Sequence, residues 1–361
     1  MLKDTKIGGN KLRDSHLRDS KRIAHFVSPA WLPGGHAQTI YPAVFAPRPK
    51  VRLYRERWAT PDEDFLDLDF NFDPTAPSAS EAHHFPSATL TRQDSKGLIV
   101  LFHGLEGSSG SHYAQATMQA CIEQGWLGVV PHFRGCSGEE NRVLRTYHSG
   151  ETRDIDFILQ RLAERFPDLP RYAIGVSLGG NALSKWLGEQ GESANQWISA
   201  AAAFCAPQDL HEGAKALSKG FNLVYMNSFL KTLKAKALLK LEQHPGLMNR
   251  ERIIASKNFF EFDEEVTAKV NGFADCYDYW EKSSCKIFLA NVRIPLLLVN
   301  PLNDPFLPVQ ALARPGQVSR SVRLYYPKHG GHVGFLQGAF PGHLGWLPNT
   351  ALNFFTTGNT P

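Results

Sequence analysis

The chain has 361 residues, 42% of them hydrophobic and 20% charged. That ordinary composition excludes a mostly disordered, collagen-like or coiled-coil protein and leaves room for one elaborate α/β domain or two average ones. Its 39 basic and 35 acidic residues leave a net +4, too little to argue for a nucleic-acid partner.

Residues 1–22 carry little apolar content and no usable period, and read as a disordered tail. The basic N-terminus has no apolar stretch behind it, which excludes a signal peptide, and no run approaches the roughly 18 apolar residues of a membrane span. Residues 26–49, rich in Pro, Gly and aromatics, read as an irregular arm packed over a domain. Alternation at 51–58 and again over Phe65–Phe72 predicts two antiparallel strands. The stretch 73–96, with His83 and His84, reads as a loop. From Gly97 the pattern changes to continuous apolar runs (97–102, 126–130, 172–176, 198–205) alternating with helical stretches (112–124, 150–166 and one ending near Leu187). Such alternation marks parallel β-α units buried on both faces. It stops near Pro207, and 208–290 is helical in pattern with a Lys-rich face, which reads as solvated. Strands resume at 294–300 and 322–326, and a last helix spans about 345–355. One sheet is therefore expected from 23–207 and 291–361, interrupted by a helical insertion over 208–290. The five cysteines (Cys121, Cys136, Cys205, Cys276, Cys285) form no CxxC pair. They read as reduced, mostly buried thiols of a cytoplasmic protein rather than a disulfide framework or a zinc site.

The predicted strand 172–176 runs into Gly175-Val176-Ser177-Leu178-Gly179, and a helix follows. A strand, a Gly-x-Ser-x-Gly pentad and a helix make a nucleophile elbow, in which the serine oxygen projects above the sheet from a strained turn. A serine hydroxyl is a weak nucleophile at neutral pH and needs a base that is itself oriented by an acid. In this architecture the acid and then the base follow the serine, on loops after late strands. Asp304 lies in a turn after the run 294–300. Of the 14 histidines, only His329, His332 and His343 come after Asp304. His329 and His332 both follow the strand 322–326, and His332 sits behind Gly330 and Gly331, which let a loop bend towards the elbow. Ser177, Asp304 and His332 are the expected triad. The oxyanion donors are expected from the N–H of Leu178 and, in the glycine-rich loop 103–109, from that of Leu105. His103 precedes the serine and reads as a loop-bracing residue.

Taken together, the elbow with Asn181, the loop 103–109, Phe133-Arg-Gly-Cys-Ser137, Tyr147-His-Ser-Gly150 and His329-Gly-Gly-His-Val-Gly-Phe335 resemble the YheT-like α/β-hydrolases, bacterial relatives of the eukaryotic abhydrolase-domain lipases. Gly35-His-Ala-Gln-Thr39 and the segment 262–273 share the likeness, which covers about residues 25–356. It implies an α/β-hydrolase fold with a mostly parallel central sheet flanked by helices, a triad position at His332, and hydrolysis of small-molecule or lipid carboxylic esters without metal or organic cofactor. Some lipid-active relatives carry a His-x4-Asp acyltransferase signature; His148 to Asp154 is one residue too long for it. Acyl transfer on the same triad and a non-catalytic binding role are the competing readings. The insertion is expected to cap the site, its residues Phe221 to Leu230 either lining an acyl pocket or packing the cap. Peripheral contact with a membrane is a further possibility for its Lys-rich face.

Overall fold

A computed structural model describes residues 25–75 and 94–358; the expected tail 1–22 and the pair His83–His84 lie outside them. An eight-stranded sheet organises the chain in the order β1-β2-β4-β3-β5-β6-β7-β8. The strands are β1 (Tyr54–Ala59), β2 (Phe65–Phe70), β3 (Leu98–Phe102), β4 (Leu127–Pro131), β5 (Arg171–Val176), β6 (Ala200–Phe204), β7 (Leu296–Val299) and β8 (Val322–Tyr325). The pairs β1–β2 and β2–β4 are antiparallel and the other five pairs are parallel. In the inner parallel strands β3, β4, β6 and β7 successive side chains feed two different cores, which is why those strands are apolar throughout, whereas the edge strand β8 carries exposed Arg323. Leu98, Val100 and Phe102 of β3 pack with helices α3 (Arg153–Arg165) and α4 (Leu178–Gln190). Ile99 and Leu101 pack on the opposite face with α2 (His112–Gln124) and α11 (Trp346–Thr357).

The first two strands depart from simple alternation. All six residues of β2 are buried, Asp67 and Asp69 included. The registered partners on β1 explain this. Arg57 faces Asp67 and Arg55 faces Asp69, each guanidinium forking onto its carboxylate at 2.7–2.8 Å. Such bidentate pairing offsets the cost of burying a carboxylate. Asp69 also accepts from Ser109 and His132. Burial alone would raise its pKa, but the hydrogen bonds from Arg55, His132 and Ser109 hold it well below the usual carboxylate range.

The arm corrects an expectation. It is not irregular throughout but carries a helix, α1 (Gly35–Val44). Its amphipathicity is inverted, with Gln38 and Thr39 buried while Val44 at its end is exposed. A search for an apolar face turned towards a core therefore passes over it.

Between β6 and β7 the described chain forms only helices and turns: α5 (Leu210–Leu217), α6 (Leu223–Gln243), α7 (Arg250–Ala255), α8 (Phe259–Phe262), a π-helical turn Asp263–Thr267, α9 (Ala268–Asn271), α10 (Cys276–Ser283) and short 3-10 turns. They enclose a separate apolar cluster around Met226, Leu230, Ile253 and Phe262, which reaches the sheet through Phe306 and Leu307.

Candidate active site

Four loops at the carboxyl ends of parallel strands converge at one place, the position where open α/β sheets present their sites. Ser177 follows β5 directly, with φ 53° and ψ −120°, a conformation that costs a non-glycine residue of order 1–3 kcal/mol. The flanking glycines are sterically required. A Cβ on Gly179 would lie 2.4 Å from the Phe102 carbonyl oxygen, and one on Gly175 would lie 2.6 Å from that of Gly179. The strand can thus turn into α4 only with the serine held out at its tip.

Asp304 comes from the loop after β7 and His332 from the loop after β8. The Ser177 hydroxyl donates to His332 Nε2 at 2.9 Å, and His332 Nδ1–H donates to Asp304 Oδ2 at 2.8 Å. The other carboxylate oxygen of Asp304 accepts from the Phe306 N–H at 2.8 Å. The Phe306 ring stacks on the imidazole, centroids 4.1 Å apart and planes 24° apart. His329 is exposed. Of the two histidines that spacing could not separate, only His332 meets Ser177 and Asp304.

On the loop after β3 the backbone donors are mostly spent. The N–H of Gly104 donates to the Tyr113 hydroxyl, that of Glu106 to the Tyr147 hydroxyl and that of Gly107 to the Gly104 carbonyl. The N–H groups of Leu105 and Leu178 have no acceptor among the described residues, and both residues line the same cavity as Ser177 and His332. The Glu106 carboxylate accepts from the Tyr147 hydroxyl at 2.7 Å and from Lys236 of α6 at 2.8 Å. His103 braces this loop, its Nδ1 on the Gly104 carbonyl and its Nε2 accepting from the Phe133 N–H. Burial pushes its pKa down to about 3, so it stays neutral.

The supporting contacts include residues of the Gly35–Thr39 motif, to which the sequence assigned no role. Gln38 of α1 accepts through Oε1 from the Gly330 N–H and from Asn303 Nδ2, and donates through Nε2 to the Leu32 carbonyl, each at 2.9 Å. The Thr39 hydroxyl accepts from the His332 N–H at 2.8 Å. Arm and histidine loop meet backbone to backbone: a Cβ on Gly334 would lie 1.8 Å from the Gln38 carbonyl oxygen, and one on Gly331 2.6 Å from its carbonyl carbon. The glycines around His332 therefore serve close packing against α1 as well as loop curvature. Beneath the loop, Cys205 Sγ accepts from the Val333 N–H at 3.2 Å. Burial, with the nearby Asp304 carboxylate adding to it, holds this thiol protonated far above its ordinary range. Cys205, Asp304 and His332 are the one trio of metal-ligating side chains clustered among the described residues. Asp304 and His332 are already engaged with each other and with Phe306 and Ser177, and the thiol is protonated, so the trio does not make a ready metal site.

From the serine a cavity of about 160 Å³ runs beneath the helices between β6 and β7. Its apolar wall includes Leu210, Leu217, Phe229, Leu233, Phe259 and Val266, and its polar lining includes Lys236, Lys240 and Glu140. Only Phe229 of the run Phe221–Leu230 lines it; Met226 and Leu230 pack inside the helical cluster, while Phe221, Leu223 and Val224 are exposed. His148 and Asp154 do not pair. Asp154 is taken by Arg134 and Arg145, and His148 Nδ1 accepts from the Gly150 N–H.

Residues 97–339 match the α/β hydrolase fold family. The chain is 36% identical, over 92% of its length and 94% of the relative's, to the Escherichia coli protein named "Putative esterase YheT". The chain belongs to the YheT-like α/β-hydrolases. More distant relatives include human phospholipase ABHD3, 27% identical over 86% of this chain and 73% of that one. Another is the Saccharomyces cerevisiae medium-chain fatty acid ethyl ester synthase/esterase 2, 28% identical over 72% of this chain and 62% of that one. Among solved structures, a Pyrococcus horikoshii acylaminoacyl peptidase matches with a TM-score of 0.50 at 16% identity, covering 84% of this chain and 41% of that one. That likeness concerns the fold alone. Membership places the chain among hydrolases of the esterase/lipase type. No helix among the described residues is long and apolar enough to cross a membrane.

Proposed function

We propose that this YheT-like protein is a serine esterase that cleaves carboxylic esters through an acyl-enzyme. The observation that carries the reading is the hydrogen-bonded line Ser177 Oγ, His332 Nε2, His332 Nδ1, Asp304 Oδ2, at 2.9 and 2.8 Å. Ser177 Oγ attacks the ester carbonyl carbon while its proton passes to His332 Nε2. Asp304 keeps Nδ1 protonated and stabilises the imidazolium that forms. The carbonyl oxygen becomes an oxyanion, for which the unspent N–H groups of Leu105 and Leu178 are the donors. Collapse of the tetrahedral adduct breaks the bond to the alcohol, which leaves with the proton from His332. Water, deprotonated by the same nitrogen, then releases the acid and restores Ser177.

The segment 208–290 acts as a cap in this reading. At about one water-sized site per 10–15 Å³, the cavity beneath it takes on the order of ten non-hydrogen atoms, and its apolar wall suits a medium acyl chain. His148 and Asp154, which do not pair with each other, give no support to acyl transfer. The test is labelling with a fluorophosphonate followed by a panel of p-nitrophenyl esters of graded chain length. Ser177→Ala should abolish labelling and lower turnover by about 10³-fold or more. A folded Ser177→Ala protein that still labels refutes the reading.

A further inference from the structure

The inverted helix of the arm leaves an unusual surface. Gln38, Thr39 and Pro42 of α1 are buried, the first two against the histidine loop. By helical spacing, His36, Ile40 and Val44 fall on the opposite side. Val44 is 61% exposed and the adjoining Phe45 66% exposed. The apolar strip continues beyond both ends of the helix. At one end the His36 ring lies 4.6 Å from that of Phe221, next to exposed Leu223 and Val224 at the start of α6. At the other end Tyr41 touches the rings of Phe45 and Phe340, and Phe340 is 73% exposed. Scattered exposed apolar residues are ordinary, but a strip with ring contacts at both ends of one helix marks an interaction surface.

The charge around it identifies the occupant. The three segments that build the strip, 26–50, 216–231 and 336–350, contain Arg48, Lys50, Lys219 and Lys231 and no Asp or Glu. All four basic side chains are exposed. Lys231 lies two helical turns after Val224 and so on the same side of α6. A second copy of the chain would bring basic groups against basic groups. A surface that is apolar at its centre and only positive at its margin fits an anionic bilayer, with apolar tips entering the headgroup boundary and Lys and Arg meeting acidic headgroups.

We propose that the face formed by α1, Phe45, Phe340 and the first turns of α6 docks the protein on anionic lipid bilayers. The inference rests on the surface alone and stands whether or not Ser177 is the nucleophile. It is tested by flotation of the full chain with vesicles of phosphatidylcholine, alone or mixed with phosphatidylglycerol. Binding to the mixed vesicles should exceed binding to neutral ones by about tenfold or more and weaken with added salt. The double variant Val44→Ser/Phe45→Ser, and separately Arg48→Gln/Lys219→Gln, should each lose most of that binding. Both should keep wild-type turnover of a short, water-soluble ester, or, should the chain turn over none, the wild-type melting temperature. Three outcomes overturn the proposal: no flotation with either vesicle, equal flotation with both, or unchanged flotation of the variants. A dimer in sedimentation analysis that Val44→Ser/Phe45→Ser dissociates also overturns it, because a second copy then covers the face.

Discussion

Replacing Gln38 by Met tests whether the arm holds the catalytic histidine in place. Methionine matches glutamine in length and volume, so packing in the buried site is nearly conserved. The substitution nevertheless strands three polar groups: the Gly330 N–H, the Asn303 amide and the Leu32 carbonyl, each now bonded to Gln38 at 2.9 Å. An unsatisfied buried group costs roughly 1–3 kcal/mol, and two of the three stay sealed, which gives about 2–6 kcal/mol in all. With an unfolding entropy of about 2.1 cal/mol/K per residue, a chain of 361 residues loses about 1.3 °C of melting temperature per kcal/mol. The expected fall is therefore about 3–8 °C by calorimetry. Because Gly330 is two residues from His332, ester turnover should also drop, by about 10–100-fold in kcat with a smaller change in KM. A Gln38→Met protein that melts within about 1 °C of wild type and keeps its kcat would show that α1 decorates the histidine loop without supporting it.

Three further outcomes are expected. His332→Ala should fall to the level of Ser177→Ala, and the double variant should be barely worse, because the members of such a unit do not contribute additively; exposed His329→Ala should lose less than about tenfold in kcat, where a free loop histidine costs little. Lys236→Met leaves Glu106, whose φ of 54° is strained, held by Tyr147 alone; kcat should fall about 10-fold or more as the neighbouring Leu105 N–H loosens, with affinity for a trifluoromethyl ketone falling in parallel and Lys236→Arg restoring part of both. In the cavity wall, burial lifts the Asp263 carboxyl from 3.8 to about 6, against hydrogen bonds from Thr267 and Trp280 that favour the anion. The folded state then binds this proton more tightly than the unfolded one, so its contribution to stability is full below about pH 4, falls as pH rises towards 6 and is flat above. Denaturant midpoints across that window should show the fall in the wild type and lose it in Asp263→Asn.

What the sequence discloses about this protein divides along a physical line. The inner parallel strands β3, β4, β6 and β7 are legible because each is buried on both faces and therefore apolar throughout, and the elbow is legible because a strained serine tip tolerates only glycine at Gly175 and Gly179. These constraints act within a few residues, and a string of residues can display them. The buried acids of β2 are half legible: the Arg-x-Arg of Arg55 and Arg57 and the Asp-x-Asp of Asp67 and Asp69 share the period of two, but only the register makes them partners. Gln38 lies outside even that. Its partner Gly330 is 292 positions away, and nothing near Gln38 in the chain says that a polar side chain is wanted in a core. The same contact explains why α1 escapes a search for helices. A helix that must hydrogen-bond a catalytic loop turns its polar side inward, and its apolar side is then left for the solvent or for a partner. The feature that hides α1 from periodicity is thus the one that couples the arm to His332, and it is also what leaves Val44 and Phe45 uncovered.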